Sequence, residues 1–148
     1  MAEIGFYHLT RSDVFTALPA LLGRTLRAGE KALVVCPDDA LLKALDERLW
    51  TCHTPDWLPH GTDKTPHPEW QPIFLTLRGE DNPAHAAFLF RINGAGAEAE
   101  GFKRVFDLFD GNDGAAVTAA RERWRAAKAG GHNLAYWKQE DTGWVKAG

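Results

Sequence analysis

The chain is poor in cysteine and has no long apolar run. Its 148 residues contain only Cys36 and Cys52. Two thiols do not make a disulfide framework, so the sequence suits a reducing, cytoplasmic setting. No stretch approaches the roughly 18 uninterrupted apolar residues of a membrane span. The opening MAEIGFYHLTRSD lacks the basic start and apolar core of a signal peptide. Excess charge is missing too: 17 Lys and Arg against 20 Asp and Glu leave a net charge of −3. That balance argues against whole-surface attraction to nucleic acid or anionic lipid, while a local patch can still hold an anion. The expectation is one cytoplasmic domain spanning residues 1–148.

Catalytic signatures are equally scarce. The segment after the first apolar run, YHLTRSD, carries neither G-x-G-x-x-G nor a phosphate-loop lysine. There is no G-x-S-x-G elbow and no H-E-x-x-H, and neither cysteine has a C-x-x-C partner. The sequence therefore predicts neither an enzyme nor a cofactor-binding protein. Tryptophan, by contrast, is abundant: Trp50, Trp57, Trp70, Trp124, Trp137 and Trp144 are more than a small core needs. Some belong at an edge or an interface, where an amphipathic ring is useful.

The apolar pattern predicts an α/β domain, Rossmann-like, with a mainly parallel central sheet flanked by helices and no phosphate-binding loop. EIGFYHL (3–9) reads as a strand, and Thr10 or Ser12 is placed to cap a helix over DVFTALPALLGRTLRAG. Pro19 threatens that helix with a kink. KALVVCP (31–37) is a strand buried on both faces, and DDALLKALDERLW (38–50) is an amphipathic helix with an acidic start. Residues 51–72 hold five of the eight prolines and show no periodicity, which predicts a long loop. Strands follow at 73–77, 86–92 and 102–109, then a helix within GNDGAAVTAARERWRAAKAGG. The last segment, NLAYWKQEDTGWVKAG, predicts a strand or hairpin turning at Asp141–Thr142–Gly143.

Two regions carry candidate chemistry. In the proline-rich loop, His53, His60 and His67 recur at intervals of seven beside Cys52, Asp56 and Asp63. These are zinc-ligand types, and a metal-dependent hydrolase is the enzymatic reading. No pair has the tight spacing of a structural zinc motif, so a solvated loop packed through Trp57 and Leu58 is favoured over a metal site.

The second region is ARERWRAAKAGGHNLAYWKQ. At about 100° per residue, Arg121, Trp124, Arg125 and Lys128 share one arc, with Val117 one turn earlier. Ala116, Ala119, Ala120, Ala126 and Ala127 lie opposite and suit close approach to a sheet, although Arg123 intrudes among them. Within 121–128 only Glu122 opposes four bases, and a tryptophan sits inside the basic arc. Such a surface suits an acidic peptide with a hydrophobic end, or stacked nucleotides.

In order along the chain, FYHL, KALVVCPDDALLKALDERLW, WLPH, VFDLFDG and ARERWRAAKAGGHNLAYWKQ resemble the chi subunits of bacterial DNA polymerase III holoenzyme, clamp-loader accessory proteins. The resemblance implies a non-catalytic adaptor. One implied partner is the acidic C-terminal tail of single-stranded-DNA-binding protein, with Arg121, Trp124 and Arg125 as its site and Val117 and Lys128 beside them. The other is the psi subunit, which would meet Trp50, Trp57, Leu58 and Pro59. Trp50 also reads as plain core at a helix end. The chain continues past YWKQ into EDTGWVKAG, a departure from the shortest family members. The alternative reading is a protein that grips single-stranded nucleic acid directly.

Overall fold

Short apolar runs that alternate with aspartate-capped helices set the architecture. The structure, a computed structural model, describes residues 3–10, 13–51, 58–62, 64–77, 82–83, 85–95, 101–140 and 143–146. Its elements run β1 (Glu3–Leu9), α1 (Val14–Arg27), β2 (Ala32–Val35), α2 (Asp39–Thr51), β3 (Gly61–Thr62), β4 (Ile73–Thr76), β5 (Phe88–Ile92), β6 (Arg104–Asp110), α3 (Gly114–Ala129), β7 (Asn133–Glu140) and β8 (Gly143–Lys146). The strands form one open sheet in the order β3-β4-β2-β5-β6-β1-β7-β8. Every pairing is parallel except β7 with β8. This is the Rossmann-like α/β class that the sequence predicts.

Each helix starts on an aspartate. Asp13 accepts from the Thr16 amide, Asp38 from the Leu41 amide and Asp113 from the Ala115 amide. Asp13, adjacent to the first helical residue, therefore caps α1 in place of the expected Thr10, whose amide instead donates to the Gln139 side chain; Ser12 lies outside the described residues. Pro19 sits inside an unbroken α1. The amide it lacks would have bonded the Phe15 carbonyl, and the Arg48 Nε of α2 donates there instead at 3.1 Å. Gly29, at φ +78, ends α1 in the left-handed conformation that a residue with a Cβ adopts only under strain.

Strand alternation sorts the core onto the two faces of the sheet. Tyr7, Leu9, Val34, Phe88, Phe90 and Leu108 meet the leucine stripes of α1 and α2. Ile4, Phe6, Leu33, Leu89, Val105 and Phe109 form the other face, which receives α3. The proline-rich segment contributes two things not visible as periodicity: the two-residue edge strand β3, and a 3₁₀ turn at Pro68–Trp70. The hairpin is present, with Glu140 paired to Gly143. Among the described residues no helix is long and apolar enough to cross a membrane.

Candidate functional site

The site begins with a helix that has little apolar grip of its own. In α3 only Ala120 is fully buried, with Val117, Trp124 and Ala127 packed partly against the sheet. The packing stripe therefore runs through Val117, Ala120, Trp124 and Ala127, while Ala119 and Ala126 are exposed. A buried ionic clasp sets the rotation of the helix. Arg123 donates to both oxygens of Asp107, Nε to Oδ2 and Nη2 to Oδ1, each at 2.8 Å. Asp107 is fully buried on β6, and Arg91 of β5 approaches its Oδ2 at 3.2 Å. A bidentate guanidinium–carboxylate pair fixes direction as well as distance. It also explains why Arg123 points inward among small residues.

With Arg123 anchored, Trp124 is laid across the sheet. Its ring meets Phe6 edge-on at 5.3 Å and Tyr136 at 5.9 Å. The outer shoulder of the helix then opens over a cleft of about 470 Å³ lined by His8, Arg121, Trp124, Arg125, Tyr136 and Lys138. Three elements converge there because β1 lies between β6 and β7, directly under the crossover that contains α3.

The floor of the cleft is held by hydrogen bonds. The Tyr136 hydroxyl and His8 Nδ1 lie 2.5 Å apart, while His8 Nε2 faces the Gly111 carbonyl at 3.4 Å. A Cβ on Gly111 would fall 2.0 Å from the His8 ring, so only glycine fits that turn. Burial pushes the Tyr136 hydroxyl up from its ordinary pKa, against the opposing pull of the Arg121 charge. It stays a neutral phenol, able to donate. Among the described residues no carboxylate lines the cleft. Among the described residues none of Arg121, Arg125 and Lys138 is engaged in an ion pair.

Arg121, Trp124 and Arg125 thus meet in one cleft. Val117 lies on the packing stripe and Lys128 is exposed in the last turn, and neither lines it. His8, Tyr136 and Lys138 are lining residues that helical periodicity does not reveal. The alternation Leu134, Tyr136, Lys138 along β7 was the available signal for two of them. At the far edge of the sheet Trp50 is 63% exposed and its ring lies 4.5 Å from that of His60. Leu58 is sealed in the core and Pro59 is half-buried; Trp57 lies outside the described residues. Of the loop's metal-ligand types, His60 turns inward to the Asp46 carboxylate (2.8 Å) and the Leu58 carbonyl (2.8 Å). His67 stacks on Trp70 at 3.9 Å. Cys52, His53, Asp56 and Asp63 lie outside the described residues, and among those described no three ligands gather.

The class is thus an open, mostly parallel α/β sheet with a basic, aromatic cleft beneath α3. The sequence model of the family described as DNA polymerase III chi subunit, HolC, matches residues 1–135, and the chain belongs to that family. It is 29% identical over 135 residues to DNA polymerase III subunit chi of Haemophilus influenzae, covering 87% of this chain and 92% of that one. It is 27% identical over 115 residues to the subunit of the same name from Escherichia coli, covering 76% and 78%. The Rickettsia prowazekii protein named probable DNA polymerase III subunit chi matches over 93 residues at 27%, or 56% of its length.

Proposed function

We propose that this chi-family subunit is a non-catalytic adaptor whose α3 cleft binds the acidic C-terminal tail of single-stranded-DNA-binding protein. The observation that carries the reading is the cleft itself: among the described residues, three cations not engaged in ion pairs stand around the Trp124 and Tyr136 rings, and no carboxylate is among the lining residues. Arg121 and Arg125 offer planar forks for the terminal carboxylate and for tail aspartates, and Lys138 adds charge from the opposite wall. Trp124 and Tyr136 form an angled apolar corner for the last side chain. Because Arg121, Arg125 and Lys138 are all exposed, binding is electrostatically assisted and weakens with salt. The setting is cytoplasmic, with no cofactor or metal required.

The test is a titration of a labelled acidic peptide ending in Pro-Phe. Wild type binds, while Arg121→Ala and Trp124→Ala each weaken binding by about tenfold or more, the range for losing a charged hydrogen bond or an aromatic anchor. Equal affinity in all three contradicts the assignment.

The second partner in this reading is the psi subunit of the clamp loader, which would dock on the far edge of the sheet. The support is Trp50, a large ring left open to solvent at the end of α2, with Pro59 beside the His60 anchor. Co-purification of psi with wild type but not with Trp50→Ala supports this contact, and equal recovery removes it.

A further inference from the structure

β7 has two faces, and the adaptor reading uses one. Tyr136 and Lys138 face the cleft, whereas Trp137 points to the α1 and α2 side. There Tyr7 lies beside Phe106 at 5.7 Å, beside Trp137 at 6.3 Å with the two rings nearly parallel (12°), and edge-on to Trp144 at 5.1 Å. Phe88 extends the row at 5.8 Å from Phe106, so the rings cross β5, β6, β1, β7 and β8. Phe88, Phe106 and Tyr7 are buried, and the two indoles at the β7–β8 end are only partly covered.

Cations border this row. The Arg104 guanidinium lies 4.7 Å from the Phe106 ring centre. Arg24, exposed near the end of α1, is close enough for its charge to act on the Tyr7 hydroxyl. Lys146 shares a face with Trp144 and sits opposite Trp137. A trough of about 280 Å³ joins Arg104, Trp137 and Lys146 over the small residues Gly5 and Ala135. Among the described residues the acid lining it is Glu3, held only loosely to Arg104 at 3.9 Å. Trp137, Trp144 and Lys146 all lie beyond residue 135, where the family match ends.

We propose that this surface is a second binding site, for a short run of single-stranded nucleic acid. Flat, half-open indoles offer stacking faces to any base, and cations spaced along an open trough suit successive phosphates. The site is separate from the tail cleft, so a peptide on α3 and a strand on β7–β8 can be held together.

The test is fluorescence anisotropy with a labelled oligothymidylate at low salt, alongside the tail-peptide titration. Wild type binds the oligonucleotide, with log affinity falling against log salt at a slope of about −2, from ~0.7 per contact for three cations. Arg24→Glu with Lys146→Glu weakens it by about tenfold or more and leaves peptide affinity unchanged, and both positions are exposed, so the fold is not at risk. Trp144→Ala weakens it about fivefold. Arg121→Ala leaves it unchanged while reducing peptide binding. Absence of oligonucleotide binding by wild type overturns the proposal, as does binding indifferent to the double charge reversal. Loss through Arg121→Ala, or capture of an acidic peptide by this surface, overturns it as well.

Discussion

The two faces of the sheet are held by different forces. Under α1 and α2 the contact is mainly apolar: Leu18, Leu21 and Leu22 of one helix and Leu42, Leu45 and Leu49 of the other close over Val34, Leu75 and Phe90. Under α3 a single alanine is fully buried, and the helix is registered by the Asp107–Arg123 clasp. A leucine stripe seals the face that it covers. A clasp fixes orientation without covering much area, and it leaves the shoulder of Trp124 open. The cleft proposed to bind the tail therefore lies on the face with the thinner apolar cover.

The sharpest way to break this comparison is Asp107→Ala. It removes the buried carboxylate that two partly buried guanidiniums share, at an expected loss of about 3 kcal/mol in urea unfolding. Tail-peptide binding should fall with it even where the protein remains folded. A loss within about 0.5 kcal/mol would mean that the clasp does not hold α3. Next is Leu22→Ala, fully buried on the other face, with an expected cost of about 2–5 kcal/mol. At temperatures where this variant is folded, its peptide affinity should match wild type, because nothing in the cleft rests on α1. Trp50→Ala should change stability by no more than about 0.5 kcal/mol, since the ring is largely in water. A larger loss would make Trp50 part of the core rather than a contact surface.

The smallest effect expected is none at all, and it concerns Cys36. Burial, with Asp38 adding to it, pushes this thiol up to about 12. The reactive thiolate is then scarce at neutral pH and grows only as pH rises toward that value. In a Cys52→Ser background, native protein at neutral pH should not react with a disulfide reagent, and unfolded protein should react at once. Rapid native reaction would show that the α1–α2 face is not sealed.

The same contrast explains what could be read from the sequence. Leucine stripes and four-residue apolar runs announce themselves locally, so β1, α1, β2, α2 and the later strands fall close to where periodicity puts them. β3 pairs through two residues and has no period to read. For α3, small size suggested all five alanines as the packing face, yet Ala119 and Ala126 face solvent, and Val117 and Trp124 pack inward. Arg123 looked misplaced because its partner is sixteen residues upstream on a strand, a pairing that only the assembled sheet reveals. The basic arc gave Arg121, Trp124 and Arg125, all within one helix. His8 and Tyr136 meet across 128 positions because β1 and β7 are neighbours, and a single sequence does not show strand order.

The central claim, that the α3 cleft captures a terminal carboxylate, is tested most directly by one double-mutant cycle. The tail peptide is titrated with a free and with an amidated C-terminus, against wild type and against Arg121→Ala with Arg125→Ala. Amidation should weaken wild-type binding by about tenfold or more, the weight of a lost charged hydrogen bond, and should have almost no further effect on the double variant. Equal affinity of wild type for the free and amidated peptides would contradict the account.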